Sequence, residues 1–278
     1  MNKQLNKKAL KTKLDHRSKY LRQIIVQSLI GGGRGHMGSA MSLVEILRVL
    51  YDDFIKINPK KPKNENRDRL ILSKGHGCLA LYSILADKGF FPKKLLDRTS
   101  KIGSILGGHP EQKVPGIEVS TGALGHGLPI AVGMALAAKL KKKKHKIYVI
   151  VGDGEINEGS VWEAALYSSK HNLSNLKIFI DYNKIQSYGF TKEVVDLEPL
   201  NNKWKSFGFD VSEVNGHNIE QLRRNIIQFN KKKINKPSVT ICHTIKGKGF
   251  YFAENNPNWH HKNNFTKKEI NDLNRCLR

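Results

Sequence analysis

Two residues of this sequence have the types and the spacing to share one hard cation. Gly152-Asp153-Gly154 closes the apolar run "KIYVIVGDG", and Asn183 closes the next apolar run, "LKIFIDYN", thirty residues after Asp153. The segment between them, "EGSVWEAALYSSKHN", has helical character, so the whole reads as a strand–helix–strand unit with parallel strands. In open α/β sheets, ligands collect at the carboxyl ends of the strands, where Asp153 and Asn183 fall. A carboxylate and an amide oxygen suit Mg2+, with Ca2+ as a substitute, rather than zinc. Mg2+ usually fills its remaining positions with phosphate oxygens and water, and the glycines beside Asp153 let backbone N–H groups reach such phosphates. An acidic loop followed by an Asn turn would account for Asp153 alone. The strand–GDG–helix–strand–N unit as a whole points to a metal and diphosphate site.

A second glycine-rich stretch suggests a different cofactor. In "GGGRGHMGSAMS", Gly33, Gly35 and Gly38 match the G-x-G-x-x-G pattern of dinucleotide loops. That fingerprint must follow a strand and open a helix. Here the preceding segment, "SKYLRQIIVQSLI", has helical periodicity, with Leu21, Ile24, Ile25, Ser28 and Leu29 on one face. Asp52 and Asp53 stand near the distance of a ribose-binding acid, but at the end of a helix. The context argues against a dinucleotide and leaves a backbone that a ligand can approach, with His36 on the same turn. His76 and His109 also sit in glycine-rich loops, "SKGHG" and "GGHPE", which are poor places for core histidines. His16, His145, His171, His217 and His243 lie in no such setting and read as surface or structural residues. His126, in "GALGHG", stands at a helix start, where capping that helix and facing a cofactor are both open.

The elements that must position these groups alternate between strand and helix. Apolar strands are expected at Leu70–Leu72, Ile147–Val151 and "LKIFIDYN", with a short strand at the start of "DVSEVNGHN", a last one within "PSVTICHTIKGKG", and helices between them. That is an α/β fold with a mostly parallel central sheet and helices on both faces. The helix "SLVEILRVLYDDF" is expected to start at Ser42 as its cap. Residues 1–12 read as a basic, poorly ordered lead-in, and 13–278 as one domain. The chain has 278 residues, 39% of them hydrophobic, which is ample for one large core. Its formal charge is +24, but the densest runs, "KKKKHK" and "NKKKINK", sit between structured segments and read as solvated connectors. No RNA-binding or zinc-finger motif appears, so no nucleic-acid partner is expected. Scattered Cys78, Cys242 and Cys276, no signal-peptide core and no long apolar run imply a cytoplasmic protein with no membrane partner.

The Asp153–Asn183 unit resembles the signature by which thiamine diphosphate enzymes hold Mg2+ and the cofactor's diphosphate. The resemblance widens over residues 17–262: "GRGHMGSAMS", "SKGHG", "GGHPE", "STGALGHGLPIAVGMALA" and "ENNPNWHH" occur in the order found in transketolases. The sequence resembles the N-terminal, diphosphate-binding part of that family, and closely the N-terminal subunit of its split members. The resemblance implies that Asp153 and Asn183 bind Mg2+ by side chain and Ile185 by its carbonyl. It implies that His76 and Gly154 contact the diphosphate, with Asn183 beside it, and that Gly122 and Leu124 line the thiazolium side. His36, His109 and His260 would face the substrate and move protons, and Glu158 would lie at a dimer interface and couple paired sites. The family's His-Gly element reads "WHH" here, so His261 competes with His260 for that role.

In the family the cofactor lies between two domains, and the second supplies the glutamate for the aminopyrimidine. The resemblance therefore implies a separate C-terminal subunit, an α2β2 assembly with self-association, and no activity of this chain alone. The implied reaction moves a two-carbon ketol unit from a ketose donor to an aldose acceptor, each a sugar or sugar phosphate. Two other thiamine diphosphate roles compete with it: a 1-deoxyxylulose 5-phosphate synthase and a 2-oxo acid dehydrogenase E1α. A basic nucleic-acid-binding protein would explain the charge but none of the glycine–histidine motifs.

Overall fold

The computed structural model describes residues 2–187, 189–232 and 234–277. Helices α1 (Lys3–Lys11) and α2 (His16–Gly32) lead to a two-residue strand β1 (Arg34–Gly35) and helix α3 (Met37–Val49). Strand β2 (Arg69–Leu72) precedes helix α4 (Cys78–Asp87), and α5 (Gly127–Leu140) precedes β3 (Ile147–Gly152). Then come α6 (Gly159–Lys170), β4 (Leu176–Tyr182), the small hairpin β5 (Ile185–Gln186) and β6 (Gly189–Phe190), and α7 (Thr191–Val194). Helix α8 (Leu200–Ser206), β7 (Asp210–Asn215), α9 (Ile219–Lys231), β8 (Ser238–His243), β9 (Lys262–Asn263) and α10 (Lys267–Arg275) complete the described fold.

The central sheet runs β2-β3-β4-β8-β7, and every neighbouring pair is parallel. Strands buried on both faces need apolar side chains pointing both ways. In β3, Tyr148 and Ile150 join a core with α2, α3 and α4, while Ile147, Val149 and Val151 join a core with α5 and α6. Helices thus cover both faces, as the apolar runs implied. The register sets Gly152 opposite Asp181 on β4, so the loops after β3 and β4 leave the sheet side by side.

Two local expectations are corrected. The basic lead-in is a helix rather than poorly ordered chain: Asn2 caps α1, Ala9 is fully buried, and Lys248 Nζ donates to the Leu10 carbonyl at 2.7 Å. Ser42 is not a cap, because α3 already begins at Met37. Its hydroxyl donates to the Ser39 carbonyl at 3.0 Å and to Asp181 at 2.6 Å, which satisfies it inside a buried helix. The run "KKKKHK" does connect α5 to β3 and exposes Lys141 to Lys144. "NKKKINK" spans the α9–β8 connection, with Lys233 outside the described residues.

Candidate active site

Four loops at the carboxyl ends of β2, β3, β4 and β8 converge on one cavity of about 230 Å3. Its lining includes His36, His76, His109, His260, Gly122, Leu124, Asp153, Gly154, Asn183 and Ile185. Residues far apart in the sequence therefore meet where the sheet geometry says ligands collect. Glu158 does not line the cavity; it is exposed at the start of α6. His126 stands at the N-cap position of α5 without a side-chain capping hydrogen bond and does not line the cavity, and its Nδ1 lies 3.0 Å from the Leu124 carbonyl.

The glycines of "GGGRGHMGSAMS" serve local backbone geometry. Gly33 ends α2 at φ 74°, and its N–H reaches back to the Leu29 and Ile30 carbonyls, as a left-handed helix cap requires. Arg34 and Gly35 then pair with Asn263 and Lys262 of β9, antiparallel, and His36 starts α3. This short antiparallel pairing of distant segments brings the "WHH" segment beside His36. The His36 ring centroid lies 5.2 Å from that of His260 and 5.4 Å from that of His76. His109 is 5.9 Å away. His261 stands 4.5 Å from His36 but outside the cavity lining, whereas His260 lines it and also stands 5.5 Å from His76.

Burial and neighbouring positive charge keep these rings neutral. Burial, then His261, His109, Lys246 and Lys74, push His36 down to about 3. Burial, Lys246 and His36 do the same to His260, also to about 3, and burial with Lys74 holds His76 well below its usual value. A neutral imidazole offers one N–H and one lone pair, so each ring can both donate to and accept from a sugar hydroxyl.

Sequence reasoning missed a buried charged cluster at the cavity, in which Lys74 and Lys246 line the cavity and Asp181 lies behind Lys74. Lys74, Asp181 and Lys246 are all buried to 1% exposure or less. Lys74 Nζ pairs with Asp181, and Lys246 Nζ donates to the Ile185 carbonyl at 3.0 Å. Glu155, also buried, accepts from Ser73 at 2.5 Å and from the Gly125 and Gly152 N–H groups at 3.0 Å, tying three loops together. One signal was available: a carboxylate inside the apolar run "LKIFIDYN" must be paired once buried.

The donor set fits a hard dication. Asp153 accepts from the Gly154 N–H at 2.9 Å and the Lys184 N–H at 2.5 Å, and Asn183 Oδ1 accepts from the Ile185 N–H at 3.1 Å, which leaves lone pairs on each oxygen. Burial, then the nearby Asp181 charge, push the Asp153 acid up to about 6, so its carboxylate lacks full compensation. The Lys246 ammonium on the Ile185 carbonyl shows that this oxygen already faces a cation. Carboxylate, amide and carbonyl oxygens are the ligands Mg2+ and Ca2+ select.

Residues 15–277 match the family described as "Transketolase, thiamine diphosphate binding domain". The chain belongs to the transketolase family. An apulose-4-phosphate transketolase subunit of Phocaeicola vulgatus is 44% identical over 250 residues, covering 89% of this chain and 88% of that one. The 6-deoxy-6-sulfo-D-fructose transketolase subunit SqwG of Clostridium sp. is 43% identical over 242 residues, covering 87% and 88%. The transketolase of Homo sapiens is 35% identical, with 87% of this chain covering 38% of it. The solved transketolase of Campylobacter jejuni superposes with a TM-score of 0.87 at 30% identity, covering 100% of this chain and 43% of that one. The chain thus spans about two fifths of the single-chain transketolases it matches and nearly nine tenths of the relatives named as subunits. Among the described residues no helix is long and apolar enough to cross a membrane.

Proposed function

We propose that this chain is the N-terminal, diphosphate-binding subunit of a split transketolase, which transfers a two-carbon ketol unit from a ketose to an aldose. The carrying observation is the convergence of Asp153, Asn183, the Ile185 carbonyl and His36, His76, His109 and His260 around one cavity. Asp153, Asn183 and Ile185 would hold Mg2+, or Ca2+ in its place. Gly154, His76 and the buried Lys74 and Lys246 would receive the diphosphate, and Gly122 and Leu124 the thiazolium side. When bound, thiamine diphosphate supplies the carbon nucleophile that carries the two-carbon unit. His36, His109 and His260 would orient the sugar hydroxyls and hold or move their protons, because all three face the cavity and a neutral imidazole both donates and accepts. His260 takes the role over His261, since only His260 lines the cavity.

The partner is a C-terminal subunit, in an α2β2 assembly. Relatives of this length include several named as subunits, and the transketolase of Homo sapiens is much longer. On α5 and α6, Ile130, Leu166 and Tyr167 are exposed at 37%, 60% and 46%, apolar side chains that a partner could cover. Glu158, exposed at the start of α6, would couple paired sites across such an interface. The substrates are sugars with an anionic tail, as the names of the relatives indicate for those proteins. Three free cysteines suit a reducing cytoplasm. These motifs and relatives support ketol transfer over the synthase, dehydrogenase and nucleic-acid readings.

Calorimetry tests the site. The chain should bind thiamine diphosphate only with Mg2+ or Ca2+ present, and ketol transfer should appear only when a C-terminal subunit is added. Metal-independent binding, or full transferase activity of the chain alone, would overturn the assignment.

A further inference from the structure

Resting on that reading, we infer that Asp181 is a positioning residue for the metal site: it fixes which way the Asn183 amide points. Asp181 sits at the end of β4, fully buried, at the meeting point of four segments. Its Oδ2 accepts from the Ser42 hydroxyl of α3 at 2.6 Å, from Lys74 Nζ after β2, and from Asn183 Nδ2 at 3.2 Å. Its Oδ1 accepts from the Thr244 hydroxyl after β8. The carboxylate is therefore held by three donors other than Asn183.

Its effect on Asn183 follows from donor and acceptor counting. An amide has a carbonyl oxygen that only accepts and a nitrogen that only donates. The carboxylate of Asp181 accepts and does not donate, so Asn183 must turn its nitrogen to it. At the other end of the amide the Ile185 N–H donates, so the oxygen must lie there. Rotating the amide by half a turn would set oxygen against carboxylate at one end and N–H against N–H at the other. Both ends reject the flipped form, and the rejected form is the one that presents hydrogens to a cation. The Asn183 oxygen thus stays on the side of the Ile185 N–H, in the cavity that Asp153 also lines. Partners that orient metal ligands in this way typically contribute about 10- to 100-fold in metal affinity.

The Asp181→Asn variant tests this in the full-length chain. An asparagine there can offer either oxygen or nitrogen, so the Asn183 amide loses its enforced orientation. Mg2+ is titrated at fixed thiamine diphosphate, and thiamine diphosphate at saturating Mg2+, both by calorimetry, with melting temperatures recorded with and without ligands. The expected result is an about 10- to 100-fold weaker Mg2+ dependence that excess Mg2+ restores, with thiamine diphosphate affinity at saturating Mg2+ within about threefold of the unaltered chain. Thr244→Val, which keeps the charge pair with Lys74 and removes one anchor, should give a smaller loss of the same kind in a folded protein. If Asp181→Asn lowers the melting temperature but leaves the Mg2+ titration unchanged, Asp181 is only structural and the inference fails. A loss of thiamine diphosphate affinity that excess Mg2+ does not restore also overturns it, because the role would then be electrostatic, through Lys74. If the unaltered chain shows no Mg2+-dependent binding, the proposed function falls and this inference with it.

Discussion

Replacing Arg22 by Met should unsettle the active site from beneath it. Arg22 and Glu45 are an ion pair with 0% and 1% side-chain exposure. The guanidinium donates to both Glu45 oxygens, at 2.6 and 3.0 Å, and to the carbonyls of Ser18, Met41 and Lys248. Burial alone would raise the Glu45 acid, but Arg22 and His217 hold it well below the usual carboxylate range. His217 Nε2 accepts from the Ile245 N–H at 2.9 Å, so its Nδ1 carries the hydrogen and donates to Glu45 at 2.7 Å. Two members of the network thus grip the 244–249 loop, at Ile245 and Lys248, and Lys246 between them lines the cavity. Removing one partner of a buried pair strands the other charge and costs about 3–5 kcal/mol. For a chain of this size that lowers the melting temperature by roughly 6–20 °C. The loosened loop should also weaken cofactor binding about tenfold, by analogy with losses at orienting residues. Urea denaturation and calorimetry read both. Arg22→Met/Glu45→Gln removes both charges and should be more stable than Arg22→Met by about 1–2 kcal/mol, within the range of couplings between contacting residues. The reasoning is refuted if Arg22→Met costs less than about 1 kcal/mol, or if the double variant costs the sum of the two single changes.

Other perturbations have equally definite outcomes. Asp153→Ala should reduce Mg2+-dependent thiamine diphosphate affinity by at least about 100-fold, since it removes a direct ligand rather than an orienting one; unchanged affinity by calorimetry would rule out the metal assignment. Gly75→Ala should destabilise by about 1–3 kcal/mol, because a Cβ there would stand 2.8 Å from the Gly122 nitrogen and the Thr121 carbonyl carbon, both backbone; urea denaturation unchanged from wild type would contradict the packing. Acidification should destabilise the fold below about pH 6.5, because His36, His76, His217 and His260 bind protons less readily folded than unfolded. Their contribution is present above that pH and is lost as pH falls, at about 1.4 kcal/mol per pH unit for each extra proton bound by the unfolded chain. Asp153, with its acid raised to about 6, opposes part of this slope. A melting temperature that stays flat from pH 7 to 5, or the same slope in His36→Asn/His260→Asn, would be the contrary result.

The parts of the fold legible in the sequence are those where one segment carries the whole signal. Ile147–Val151 is apolar throughout because β3 is buried on both faces, and Asp153 follows at the only end where a parallel sheet leaves room for a ligand. The histidines of the glycine-rich loops were legible for a similar reason, since such loops leave a ring no core to join. Lys74 and Lys246 carry no such local mark, and Asp181 shows only as a carboxylate inside an apolar run. Their roles emerge when the β2, β4 and β8 ends are brought together: Lys74 meets Asp181 across 107 residues of sequence, and Lys246 meets the Ile185 carbonyl across 61. Composition misled at the N-terminus, where the lysines of α1 hid a capped helix whose Ala9 is buried. At Ser42 a local cap signal lost to a tertiary partner, because the hydroxyl that could have started a helix is instead bonded to Asp181. That exchange links the two kinds of information: the residue that the helix pattern misread is one of the anchors that hold the metal-side amide in place. Positions where a local rule fails without an apolar explanation are therefore the ones to search for a site's supporting shell.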